Sequence, residues 1–353
     1  MNVVSQEIIK RLMSQPSDPG VISTAPRRLK IIATGVAVPG TVLVHDELDR
    51  RLGLEQGSTF KATQIRSRFI STTETAASLA ADACRATLAN SGLAWEDIDC
   101  LVAASGTMDQ ALPYNAAMIH AELGLAGQRR TTFDICASCM SFLTAMDVCG
   151  SLLETGRFRR IMIVSADIST FTTDPANLRE NGIFGDGAAA CIIEKAEDGD
   201  ASAIIGSVSV TLSEGVDLCA IPAGGSRFHR RVPGSNADAV FQMKPRPLFA
   251  IVAAELPKTL SRLLDQTGTA MDDISLVVPH QASYLAVRHI IKILQIDPAK
   301  VVNISETHAN QVGASLPTAL HHGLCQHQPR RGEKILLLGA GAGVSIGAMI
   351  LTY

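Results

Sequence analysis

Gly92-Leu93-Ala94-Trp95-Glu96-Asp97-Ile98-Asp99-Cys100-Leu101-Val102 and Gly268-Thr269-Ala270-Met271-Asp272-Asp273-Ile274-Ser275-Leu276-Val277-Val278 lie 176 positions apart and share Gly, Ala, Asp, Ile and Val in register. Each stretch closes a helical pattern with a glycine and leads into an apolar strand. The copies continue alike. Residues 132–135 read as a strand before one further helix and residues 301–304 before another, and Arg160 and Lys334 are each a basic residue entering a buried strand. Such a repeat implies two similar βαβαβ halves packed together, dividing between residues 195 and 235. We place the halves at residues 29–200 and 201–353, with residues 1–28, a short amphipathic stretch followed by QPSDPG, as an N-terminal extension. Residues 73–90 (TETAASLAADACRATLAN) read as a helix and residues 101–104 as a buried strand. This alternation predicts an α/β protein with a largely parallel sheet covered on both faces.

Composition narrows the function. With 31 Lys and Arg against 34 Asp and Glu the formal charge is −3, and only three Tyr and one Trp are available to stack on bases, which argues against a nucleic-acid binder. Glu7, Lys10 and Arg11 interrupt the place where an export signal would carry its apolar core, so a cytoplasmic protein with reduced thiols is expected. The eight cysteines then pose one question: which of them is chemical. The apolar run at residues 335–351 (ILLLGAGAGVSIGAMIL) is shorter than the roughly 18 residues a membrane helix needs. Its glycines at 339, 341, 343 and 347 suit a strand, a tight turn and a second strand, with no membrane span.

Three polar residues lie just past predicted strands, where open α/β sheets present reactive groups. They are Cys139 after TTFDI, His280 after SLVVP and Asn310 after VVNIS. Cys139 opens a helical pattern ended by Gly156, so the helix dipole should lower its pKa toward a nucleophilic thiolate. Cys, His and Asn in this order also occur in papain-type hydrolases, but there the nucleophile stands near the mature N-terminus, and the Gly and aromatic of that signature are missing around Cys139. His321, His322, Cys325 and His327 match no zinc spacing, so no metal is expected. The GAGAG at residues 339–343 lacks the helix and distant acid of a dinucleotide fingerprint. Asp186, within Gly185-Asp186-Gly187, reads as part of a structural turn.

The chain resembles the thiolase-like condensing enzymes, specifically the β-ketoacyl-ACP synthase III family. Phe133-Asp134 with Cys139 resembles the family's FD-x-x-x-x-C segment, and His280-Gln281-Ala282 its histidine loop. Phe184-Gly185-Asp186-Gly187-Ala188 resembles its FGDGA turn. Asn310 to Pro317 is similar to its asparagine segment, with Gly313 in place of an Ala, and Gly341-Ala342-Gly343 to its C-terminal turn.

The resemblance implies a five-layer αβαβα fold and a decarboxylating Claisen condensation of an acyl-CoA with malonyl-ACP or malonyl-CoA, without metal or redox cofactor. It implies an acyl-Cys139 intermediate, an oxyanion hole from the backbone N–H of Cys139 and of the turn at Gly343, and enolate stabilisation by His280 and Asn310. It also implies a homodimer whose loop at Leu112 and Pro113 helps build the acyl tunnel, and an acyl carrier protein docked on basic residues, for which Arg288 and Lys292 are the candidates. Two departures bear on substrate. Residues 58–65 (STFKATQI) lack the Trp and Arg with which family members grip CoA, and relatives that join two acyl chains head to head carry a Glu where Leu112 stands, leaving Asp109 as the nearest acid. Head-to-head condensation and acyl transfer to an amine or hydroxyl are the alternatives.

Overall fold

A computed structural model describes residues 22–174, 177, 182–226 and 236–353. The matched positions of the repeat are those its geometry requires. Gly92 and Gly268 end helices in the left-handed region, at φ 69° and 61°, where a side chain would be strained. Asp97 and Asp273 each accept the N–H of the alanine three residues earlier, at 3.0 and 3.1 Å, and so close one 3-10 turn. Ile98, Val102, Ile274 and Val278 are then fully buried.

The first half contributes β1 (Lys30–Ala37), β2 (Cys100–Ala103), β3 (Thr131–Asp134), β4 (Arg160–Asp167) and β5 (Gly187–Glu194), in the sheet order β1-β5-β4-β2-β3. The second contributes β6 (Ala203–Thr211), β7 (Ile274–Pro279), β8 (Lys334–Gly341) and β9 (Ser345–Thr352), in the order β6-β9-β8-β7. Val301 bridges to Val277 in parallel, standing where β3 stands beside β2, so the two orders agree throughout.

Both sheets are mixed, where a largely parallel one was expected. β2 runs parallel to β3 and β4 and β7 parallel to β8, but β5 and β9 are antiparallel to both of their neighbours. The glycine-rich turn between β8 and β9 is too short for a crossover helix, and a tight turn can only return the chain antiparallel.

Six helices complete the layers: α1 (Ala76–Ser91), α2 (Asn115–Glu122), α3 (Ser141–Glu154), α4 (Pro245–Thr267), α5 (Tyr284–Ile293) and α6 (Ser315–His327). α1 and α2 cover the outer face of the first sheet, α4 and α5 that of the second, and α3 and α6 lie between the sheets. This is the five-layer αβαβα arrangement. β2 shows why its strands are apolar on both faces: Cys100 and Val102 enter the central core with α3 and α6, while Leu101 and Ala103 enter the outer core with α1.

Ile22–Ser23 and Arg27–Arg28 pair with β6, giving that edge strand partners for its exposed backbone groups. Arg27 is buried, donates to Ser207 Oγ at 2.8 Å and pairs with Asp147. Residues 1–21, the amphipathic stretch included, lie outside the described residues. Among the described residues no helix is long and apolar enough to cross a membrane.

α1 packs so closely on β1 that a Cβ at Gly35 would lie 2.5 Å from the Thr87 backbone nitrogen. Backbone cannot swing aside as a flexible side chain would. Gly35→Ala is therefore expected to cost about 1–3 kcal/mol, read from urea unfolding midpoints. A change below about 0.5 kcal/mol, the usual range for surface substitutions, would show that α1 is free to lift.

Candidate active site

Cys139 sits between β3 and α3 on a short, tightly bonded loop. Asp134, the last residue of β3, accepts the Asn115 and Ala116 N–H groups at 2.8 Å each and so caps α2. Ser138 takes a positive φ of 54°, and the Ala137 N–H donates to Ser141 Oγ at 2.9 Å, turning the chain into the helix. The helix begins at Ser141, so Cys139 precedes it by two residues.

Cys139 keeps some surface toward the cavity it lines, but lies deep enough that burial pushes its thiol up to about 11. The expected lowering does not occur, because desolvation of a thiolate outweighs the dipole of a helix that starts two residues later. Opposing this rise are the Ser138 hydroxyl and the backbone N–H groups of Ala342 and Cys139, all directed at the sulfur. The N–H that the C-terminal turn offers is thus that of Ala342, which lines the cavity, and not that of Gly343, which does not. Gly343, at φ 129°, bends the turn that aims it.

His280 follows β7 and is 2 % exposed. Its N–H donates to Leu338 O at 2.8 Å, and a Cβ at Gly339 would stand 2.6 Å from the His280 Cβ, so only glycine lets the histidine lie against β8. Gln281 fixes the loop by donating to Pro279 O and Val302 O and accepting from the Ile304 N–H. Burial pushes the imidazole down to about 4 and keeps it neutral, and its Nδ1 has no partner among the described residues.

The Asn310 amide is oriented by its neighbours. Its Oδ1 accepts the Val312 N–H at 2.9 Å and the Ser315 hydroxyl at 3.2 Å, so the other atom must be Nδ2, which donates to Ala282 O at 3.2 Å. One N–H of that amide is left over. Ala309 and Val312 hold φ of 59° and 51°. Such values are uncommon for alanine and costly for a β-branched residue, and are kept only where surrounding structure enforces them.

Cys139, His280 and Asn310 line one cavity of about 460 Å³ whose walls are mostly apolar, Phe184, Phe241, Met243, Phe249 and Ile290 among them. The other sequence candidates fall outside it. Leu112 is 83 % exposed, and neither it nor Pro113 lines the cavity of its own chain. Asp109 is no free acid: its two oxygens accept the Ala76 and Ala77 N–H groups at 2.7 and 2.9 Å and cap α1. Arg288 and Lys292 are exposed on α5, the helix whose Ala286, His289, Ile290 and Ile293 line the cavity. His321 bonds to Thr34 Oγ1 at 2.9 Å and lies 3.8 Å from Cys325 Sγ.

Two buried carboxylates tie loops together, Asp186 in the turn that the sequence marked as structural and Asp167 at a position it did not single out. Asp186 accepts from Ser71, Ser169 and Thr170, faces the buried Arg68 and locks the FGDG turn. Asp167 joins the loop after β2 to the turn that follows Asn310. An acid closing a strand with an apolar centre, RIMIVSAD, was the available signal for Asp167.

Known proteins resemble this chain in sequence and fold. Residues 133–212 match the family described as 3-oxoacyl-[acyl-carrier-protein (ACP)] synthase III, and residues 264–353 match the C-terminal part of 3-oxoacyl-[acyl-carrier-protein (ACP)] synthase III. A β-ketoacyl-[acyl-carrier-protein] synthase III of Pseudomonas aeruginosa is 31% identical over 329 residues, 93% of this chain and 97% of the relative. One of Rhodospirillum centenum is 30% identical over 332 residues, 93% of this chain and 100% of the relative. The crystal structure of the 3-oxoacyl-(acyl carrier protein) synthase III of P. aeruginosa superposes with a TM-score of 0.82 at 29% identity, covering 93% of this chain and 98% of that one. OleA of Xanthomonas campestris shares the fold, with a TM-score of 0.80 at 22% identity over 92% of this chain and 98% of that one.

The neutral state of His280 has a consequence for stability. Its pKa is about 4 when folded against 6.5 for the free group, so the unfolded chain binds the extra proton between those values. Stability should therefore fall as pH drops from 6.5 toward 4, by on the order of 3 kcal/mol from this residue. Urea midpoints of wild type and His280→Gln between pH 4 and 7 measure it. Parallel curves would show that the imidazole is not held neutral.

Proposed function

Because the chain belongs to the β-ketoacyl-[acyl-carrier-protein] synthase III family, we propose that it condenses an acyl thioester, carried by CoA, with malonyl-ACP by a decarboxylating Claisen reaction. The reading rests above all on one observation: a thiol met by two backbone N–H groups shares an apolar cavity with a neutral histidine and an asparagine whose oxygen is already bonded.

In the first half-reaction the Cys139 sulfur attacks the acyl carbonyl, the carrier leaves as a thiol taking the cysteine proton, and an acyl-Cys139 thioester forms. The N–H groups of Cys139 and Ala342 hold the oxyanion. In the second, the malonyl group enters, loses carbon dioxide and becomes an enolate. The Nε2–H of His280 and the free N–H of Asn310 donate to the enolate oxygen, and its carbon then attacks acyl-Cys139, expelling the thiolate and giving the β-ketoacyl product. Two neutral donors suit this step, since they stabilise developing negative charge without protonating the carbanion as a charged acid would. No step requires a metal or redox cofactor.

The capping role of Asp109 favours decarboxylation as the source of the carbanion over deprotonation of a second acyl chain. The exposure of Leu112 suits a loop covered by a second copy in a homodimer, and the exposed Arg288 and Lys292 beside the cavity suit an acidic acyl carrier protein. Eight free cysteines suit the cytoplasm.

Incubation with a panel of acyl-CoAs, followed by intact-mass analysis and then malonyl-ACP, tests the proposal. A mass gain absent from Cys139→Ser, followed by carbon dioxide and a β-ketoacyl product, is expected. Acyl-enzyme without carbon dioxide release would favour transfer to an amine or hydroxyl acceptor. His280→Ala and Asn310→Ala should each slow decarboxylation by about 10²–10³-fold, the usual cost of one oxyanion donor, and acylation far less. Equal losses in both half-reactions would remove the donor role.

A further inference from the structure

We propose that Asp167 is a positioning residue that holds the Asn310 turn of the second half against the loop beside Cys139 in the first. The inference rests on the division of labour proposed above between Cys139 and the His280–Asn310 pair.

Asp167 ends β4 and is fully buried. Its Oδ1 accepts the Gly106 N–H at 2.8 Å, the Thr107 N–H at 2.6 Å and the Thr107 hydroxyl at 2.8 Å. Its Oδ2 accepts the Ala314 N–H at 3.0 Å. Gly106 and Thr107 line the cavity beside Ser138 and Cys139. Ala314 closes the 3-10 turn Val312–Ala314, entered two residues after Asn310. One oxygen thus serves each half.

The seam around this carboxylate has no slack. A Cβ at Gly106 would lie 2.6 Å from Val312 Cγ1 and 3.3 Å from the Ser138 carbonyl carbon. A Cβ at Gly313 would lie 3.0 Å from Asp167 Oδ2 and 3.1 Å from the Gly106 nitrogen. The loops meet backbone to backbone, and four donors converge on a group that only accepts. Since the Val312 N–H in turn orients Asn310 Oδ1, movement of this turn redirects the Asn310 amide, whereas Cys139 is anchored through Ser141 and α3.

Asp167→Asn separates the two contacts. With its oxygen kept on the three first-half donors, its NH₂ faces the Ala314 N–H, donor against donor. The flipped rotamer would sacrifice three contacts to save one. The variant therefore keeps the first-half tie and breaks the second. A displacement near 1 Å costs on the order of 10²-fold in a positioned reaction, so kcat for decarboxylation should fall by about 10–100-fold, while acylation of Cys139 is not slowed, because the variant also removes a charge that raises the Cys139 thiol.

Deuterium exchange reads the tie without chemistry. Residues 310–316 should exchange faster in Asp167→Asn, and residues 104–108 at the wild-type rate. Gly313→Val, which crowds the same seam and leaves the carboxylate in place, should reproduce both effects and serves where Asp167→Asn fails to fold. Equal loss in both half-reactions, or unchanged exchange at residues 310–316, would overturn the proposal. If wild type releases no carbon dioxide, the proposed reaction has failed, and the exchange measurement still decides the role of Asp167.

Discussion

The two central helices determine where chemistry can occur. α3 and α6 lie between sheets, and the opening turns of each, Ser141 to Leu143 and Ser315 to Leu320, are buried throughout. A helix so enclosed carries polar side chains along its length only where a partner meets them, as Arg27 meets Asp147 and Thr34 meets His321. Its N-terminal approach is different, because the backbone N–H groups there need partners and the chain is still turning. Cys139 and Asn310 accordingly stand where the chain enters these helices, and the walls beyond them are mostly apolar.

Burial also decides the charge of the resting site. It raises the thiol of Cys139 and lowers the imidazole of His280, so both are neutral near pH 7, and Asn310 cannot ionise. The three reacting side chains thus carry no charge at rest, and the nearby Asp167 carboxylate adds to the rise of the Cys139 thiol. N–H donors already in place then act at low dielectric, where they are worth more than in water and need no reorganisation. The carboxylates of this region avoid the cavity by accepting backbone and hydroxyl donors: Asp134 and Asp109 cap helices, and Asp186 and Asp167 tie loops.

Much of this was legible in the sequence because side chains carried the signal. Gly92 and Gly268 mark required left-handed caps, Asp97 and Asp273 close equivalent turns, and the residues after them are strands buried on both faces. Cys139, His280 and Asn310 are reactive types placed after strands. The donor at Ala342 was misplaced by one residue because a backbone N–H leaves no trace in residue type. The pKa of Cys139 was taken in the wrong direction because proximity to a helix can be read from spacing, whereas the depth of burial comes only from the assembled sheets. Asp109 looked like a free acid until the N-terminus of α1 was seen to occupy both of its oxygens.

The entrances to α3 and α6 show why one fold repeated twice yields a single site. The Ala137 N–H donates to Ser141 Oγ at 2.9 Å and the Gln311 N–H to Ser315 Oγ at 2.8 Å. Ser138 and Val312 take φ of 54° and 51°, and each helix then begins at its serine. These pairs lie 174 positions apart, against 176 for the stretches from Gly92 and Gly268 into β2 and β7, which is why alignment at a single offset loses them. At this spacing the counterpart of Cys139 is Gly313. The first half fills that position with a thiol. The second leaves it bare, and the space lets its turn close on Gly106 and Asp167 within about 3 Å of where a Cβ would be. A second thiol there would have had to displace the backbone contact that joins the halves. Divergence at this one position therefore gives the first half its nucleophile and the second the close approach that brings Asn310 to it.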